Sequence, residues 1–205
     1  MKIGCAFLFL AALAAGTAEG AGCSDKVRPS APLGRFEVLH GGATVLDPGA
    51  GLEWKRCPEG DSFSDNGTPS DISDDLCLPG AREAFTWQEA LQRAEAVNTA
   101  LGQTTPNGQL GEGGYAGAND WRVPNIKELM SIVEVACYNP ATNWVLFPKG
   151  FSVELVFWTA SPYHDRPSGG VTEGVWVVDF YDGHQPSSGY GKTNSYRVRL
   201  VRGGL

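Results

Sequence analysis

Apolar side chains recur at helical spacing through Ile126, Leu129, Met130, Val133 and Cys137, which predicts an amphipathic helix with one face on a core. Its start is well marked. Pro124 disfavours helical geometry at Val123, Asn125 offers a capping side chain, and Glu128 stands three residues on, where it reaches back to the cap's own N–H. Asn139-Pro140 supplies the stop. Another helix opens at Phe85-Thr86-Trp87-Gln88-Glu89, with Thr86 as cap, Glu89 closing a capping box, and Trp87, Ala90, Leu91, Ala94 and Val97 as its buried stripe. Between the two lies a Gly- and Asn-rich loop over 102–119, long enough to suggest a function, and Trp121 and Arg122 are expected to lock it onto the helix that follows.

The remaining periodicity is that of strands. Phe36 to Leu39 and Ala43 to Leu46 flank His40-Gly41-Gly42, and Asp47-Pro48-Gly49 turns the chain into Leu52 to Arg56, a three-strand meander. Later strands are expected at Val156 to Ala160, Val175 to Phe180 and Tyr196 to Val201, with Asp182-Gly183 as a hairpin turn. The last of these alternates, placing Tyr196, Val198 and Leu200 on an inner face and Arg197 and Arg199 on an outer one. Strands, two helices and long loops make a single α+β domain, with Trp54, Trp87, Trp121, Trp158 and Trp176 assigned to its core.

Composition narrows the setting. The 205 residues, 42% hydrophobic and 19% charged, suit one globular domain with a sizeable core. Lys2, the apolar run Ala6 to Ala15 and the small residues Gly16, Ala18 and Ala21 read as a secretory signal over 1–21, followed by an extended arm over 22–34 and the folded domain over 35–205. Cys23 loosely fits a lipoprotein cleavage site, although Gly20 stands where an aliphatic residue belongs. Cys23, Cys57, Cys77 and Cys137 form an even set in an exported chain with no C-x-x-C pair, so disulfides are expected rather than zinc or redox chemistry. Four cysteines allow three pairings; Cys57–Cys77 would tie an otherwise loose acidic segment, and Cys23–Cys137 would hold the arm.

That acidic segment carries Asp61, Asp65, Asp71, Asp74 and Asp75, but not at the spacing of an EF-hand loop, so it reads as a solvated loop; Asn66-Gly67-Thr68 within it fits a glycosylation sequon. The net charge of −7 argues against nucleic acid or anionic membrane as partners, and no membrane span is expected in the mature chain. His40, His164 and His184 are scattered, and Gly150-Phe151-Ser152-Val153-Glu154 fails the nucleophile-elbow pattern at its last residue. No catalytic residue, metal or cofactor is therefore expected, and Asp179, Asp182 and His184 read as turn and strand-end residues. Ligand-facing candidates lie in loops: Tyr115, Tyr163, His164, Asp165, Arg166, Tyr181, Tyr190 and Lys192. An anionic ligand would fall to Arg197 and Arg199, flanked by Lys192 and Arg202, unless these arginines pair with the chain's own carboxylates.

Seven ordered blocks carry a family resemblance: Gly51-Leu52-Glu53-Trp54-Lys55-Arg56-Cys57, Thr86-Trp87-Gln88-Glu89-Ala90-Leu91, Asp120-Trp121-Arg122-Val123-Pro124-Asn125-Ile126-Lys127-Glu128-Leu129, Cys137-Tyr138-Asn139-Pro140-Ala141, Phe157-Trp158-Thr159-Ala160-Ser161-Pro162-Tyr163, Trp176-Val177-Val178-Asp179-Phe180-Tyr181-Asp182-Gly183 and Val198-Arg199-Leu200-Val201-Arg202-Gly203-Gly204. Together they resemble the Lcl C-terminal domain family over nearly all of 35–205. The resemblance implies a C-type-lectin-like fold related to that of the sulfatase-modifying enzymes. Those enzymes use a late pair of reactive cysteines, and none follows Cys137 here. It also implies an exported bacterial protein, periplasmic, outer-surface or secreted. Its name-giving adhesin binds sulfated glycosaminoglycans as a trimer, so a homo-oligomer is one partner class left open. This chain has no collagen-like repeat ahead of the domain, and its acidic balance opposes strong polyanion binding. The expectation is an adhesin-like, non-catalytic module recognising a surface glycan, sulfated or not, or a protein partner. Two alternatives stand beside it: a degenerate or unrecognised enzyme of the sulfatase-modifying fold, and a structural subunit of a bacterial surface assembly.

Overall fold

The computed structural model describes residues 22–81, 83–99, 114–148, 155–163, 174–185 and 190–203. The predicted meander is present as β1 (Glu37–Leu39), β2 (Thr44–Asp47) and β3 (Leu52–Lys55), all antiparallel. The turn between β1 and β2 takes left-handed geometry at His40, Gly41 and Gly42 in succession. Gly42 cannot be replaced freely: its φ is +91°, and a Cβ there would stand 2.5 Å from the Phe63 ring. The C-terminal strand β9 (Val201–Gly203) joins the other side of β3, with Trp54 opposite Val201, so the end of the chain completes the sheet begun near its start. Arg122 extends that edge through paired 2.9 Å backbone bonds with Val201.

A further antiparallel sheet runs β6 (Val156–Tyr163), β7 (Gly174–Asp179) and β8 (Tyr190–Gly191), and a small hairpin joins β4 (Ser62–Ser64) to β5 (Leu76–Leu78). With helices α1 (Trp87–Thr99) and α2 (Ile126–Met130) these make a small α+β domain. The described residues form two hydrophobic cores. One gathers Trp54, Leu129, Ile132, Leu146, Phe157 and Phe180; the other packs α1 against Trp121, Trp158, Val177, Val198 and Leu200. Among the described residues no helix is long and apolar enough to cross a membrane.

Both predicted capping boxes form. In α2 the Glu128 N–H donates to Asn125 Oδ1 at 2.9 Å and the Asn125 N–H donates to Glu128 Oε2 at 2.7 Å. Thr86 and Glu89 reproduce the arrangement ahead of α1. Two expectations about helix faces need correction. Leu91 is 38% exposed rather than part of the α1 stripe, because Ala90, Ala94 and Val97 already fill the contact. Helix α2 ends at Met130 rather than running to Cys137. The Ser131 N–H is shared between the Lys127 and Glu128 carbonyls, and the next two N–H groups reach back only three residues, so the coil tightens and then opens. Ile132 and Val133 stay buried through this change, which is why the apolar spacing outlasts the helix.

The arm is held twice. Disulfides join Cys23 to Cys137 and Cys57 to Cys77, the two pairs expected. The Cys23 sulfur is thereby occupied and cannot carry the thioether of a lipid anchor. Buried Glu134 accepts from the Ser30, Ala31 and Ala136 N–H groups, so its carboxylate pins the arm to the loop after α2.

Candidate ligand-binding face

The residues offered by the sequence divide into three places. Arg197 and Arg199 do not face outward: they are 2% and 6% exposed. The segment leading into β9 threads between the two cores, with Val198 and Leu200 on one side and the arginines on the other. Its carbonyls at Val198 and Leu200 accept from the Glu59 and Lys55 N–H groups, which fixes its path. Arg197 pairs with Asp61 at 2.7 Å and Glu83 at 3.1 Å. Arg199 donates to the Lys55 and Arg56 carbonyls and lies beside the Phe147 and Phe157 rings. Burial, aided by the neighbouring Arg197 charge, lowers its pKa to about 9. The outward face expected for this strand is corrected accordingly, and Arg202, which pairs with Glu53 and Asp120, is engaged as well.

Tyr190 and Lys192 are brought together at the Gly174 end of β7. Tyr190 stands opposite Val175 in the β7–β8 ladder, and the Lys192 carbonyl accepts from the Trp87 N–H at 3.1 Å. The Lys192 ammonium rests 5.3 Å from the Trp87 ring centroid. Trp87 is itself fixed, because its indole Nε1 donates to the Thr159 carbonyl at 2.9 Å. Tyr190 meets Tyr196 edge to face at 5.2 Å, Tyr196 meets Trp158 at 4.9 Å, and Asn194 Nδ2 donates to the Tyr196 hydroxyl at 3.2 Å. Trp87, Tyr190, Lys192 and Tyr196 are half-buried and Asn194 is exposed, so ring faces and polar tips share one surface.

Tyr163 lies on the opposite side of the same sheet, against Trp176 at 4.7 Å. Trp87 and Trp176 were expected in the core and are instead half-buried, Trp87 at the start of α1 and Trp176 on the central strand β7 of its sheet. Trp87 is the first residue of its helix, a boundary position where a helical stripe says least about burial. Tyr115 corrects the other way. It is 9% exposed, its ring lies 3.9 Å below the Lys55 ammonium, and burial raises its hydroxyl pKa. His164, Asp165 and Arg166 lie outside the described residues.

Tyr181 is exposed beyond the far end of β7, and the strand from Val175 to Asp179 alone spans about 13 Å. Asp179, Asp182 and His184 converge beside it, each offering a ligand atom within 4.8 Å of the others. Their oxygens also cap the turn, since Asp179 accepts from the Tyr181 N–H and Asp182 from the His184 N–H. The His184 ring holds the Asp182 carboxyl below the usual carboxylate range. The acidic segment is only partly solvated. Asp61 is held by Arg197, and Asp75 pairs with the buried Arg56 at 2.5 Å, while Asp65, Asp71 and Asp74 bond within their own loop.

A family model described as the Lcl C-terminal domain matches residues 43–202. No curated protein and no solved structure matches the chain. The matched span runs from the start of β2 almost to the end of β9 and takes in both cores, so the chain belongs to the Lcl C-terminal domain family.

Proposed function

We propose that this domain is an exported, lectin-like recognition module that binds a surface glycan or a protein partner without chemistry, and that the ligand sits on the face built by Trp87, Tyr190, Lys192, Asn194 and Tyr196. The observation that carries this reading is the combination of half-exposed rings and anchored edges. Trp87 is bonded at both its backbone and its indole, and Tyr196 packs on buried Trp158, so the rings are set before any ligand arrives. Aromatic faces stack on the apolar side of a sugar while hydroxyl, amide and ammonium groups bond its polar rim. Two disulfides suit an oxidising location outside the cytoplasm.

A glycan array probed with residues 22–205, alongside the Tyr190→Ala variant, tests the reading. Specific signals that vanish in Tyr190→Ala while its melting temperature holds support it. Signals that persist unchanged in that variant would move the site elsewhere, and the exposed Tyr181 turn is the next place to look.

A further inference from the structure

Among the described residues the Lys192 ammonium on this face has no carboxylate partner. Among the described residues Arg35, Arg93, Arg122 and Arg202 are each held in an ion pair, whereas Lys192 lies in none and rests over the Trp87 ring. The carboxylates nearest in sequence to the face are engaged elsewhere: Glu83 pairs with Arg197, and Glu89 accepts from the Thr86 N–H and hydroxyl. Among the described residues, this aromatic platform therefore presents one unspent positive charge, that of Lys192. With Arg197 and Arg199 buried, the row of cations that a polysulfated chain requires is absent from the described part of this face.

We infer that the ligand is a saccharide bearing a single carboxylate on the recognised unit, seated on Lys192 with its sugar face on Tyr190 and Trp87; this rests on the binding face proposed above. Asn194 adds selectivity of the ordinary lectin kind: one Nδ2 hydrogen goes to the Tyr196 hydroxyl, which orients the exposed amide so that its second hydrogen and its side-chain oxygen can meet sugar hydroxyls.

The test titrates the mature chain against oligosaccharides ending in hexuronate or nonulosonate, against the methyl esters of the same compounds, and against sulfated counterparts, at about 50 and about 200 mM salt. The acid is expected to bind about fivefold tighter than its ester, the scale of one charge-assisted surface contact. That preference should vanish in Lys192→Gln and persist in Lys127→Gln, a surface cation on α2 remote in sequence from the face. Equal affinity for acid and ester overturns the inference, as does a preference for the sulfated compounds that survives Lys192→Gln. In either of those cases, binding that is still lost in Tyr190→Ala leaves the face itself standing. If no saccharide of any class binds, both the inference and the glycan reading fall.

Discussion

Arg197 reaches across 136 positions of sequence to place its Nη2 2.7 Å from Asp61, with the two side chains 3% and 1% exposed. Glu83 takes the other Nη at 3.1 Å, so one arginine ties the segment before β9 to both the acidic loop and the approach to α1. Removing one partner of such a sealed pair strands the other charge. Arg197→Ala should cost about 3 to 5 kcal/mol and lower the melting temperature by roughly 10 °C. Melting within a degree or two of the parent would show that this cluster is solvated and contributes little.

The same cluster sets a pH dependence. Burial pushes the Asp61 carboxyl above its ordinary value of 3.8, and the Arg197 charge opposes this only in part. A raised carboxylate pKa favours the fold while the group is protonated, so that contribution is present below the unfolded value and lost as pH rises through the folded one. Without Arg197 the folded pKa climbs further. The stability deficit of Arg197→Ala should therefore narrow between about pH 7 and about pH 4.5, read by thermal melting of both proteins at each pH. A deficit that is constant or grows on acidification contradicts the assignment.

Trp121 is 1% exposed, its indole donates to the Tyr115 carbonyl at 2.8 Å, and Asn98 bonds both its N–H and its carbonyl. Trp121→Ala should cost about 3 to 5 kcal/mol through the cavity and the orphaned groups it leaves. Unchanged melting with lost ligand binding would instead make it a site residue.

The disulfides can be tested separately from the cores. Opening the 20-residue separation between Cys57 and Cys77 in a Cys57→Ser/Cys77→Ser variant should cost about 3 kcal/mol on the chain-entropy account. Unreduced peptide mapping of the native protein should find the Cys23 peptide joined to that of Cys137, with no lipid mass on either. A Cys23–Cys57 link would contradict the arrangement of the arm.

What was legible in the sequence is what is decided locally. The capping boxes at Thr86–Glu89 and Asn125–Glu128 depend on residues three apart, and the meander on turn residues between short apolar runs. The family followed from ordered blocks. Arg197 and Arg199 were misplaced because alternation assigns charged positions to solvent, while their partners, Asp61 and the Lys55 and Arg56 carbonyls, are contributed by the far end of the chain. The length of α2 was misread for a related reason: burial of Ile132 and Val133 continues although the hydrogen-bond pattern does not. Of the candidate face, Tyr190 and Lys192 were visible as loop residues, but Trp87 was hidden by a helical stripe that begins one residue too early to bury it.

The central claim, that ligand meets the Gly174 end of β7, is tested most directly by following the indole N–H resonances of isotopically labelled protein as saccharides are added. Trp87 should shift, because its ring lines the face and its Nε1–H is bonded to Thr159, while buried Trp54 and Trp121 should stay in place. A saturable ligand that leaves the Trp87 resonance unmoved and perturbs the backbone of Tyr181 to His184 would contradict the account.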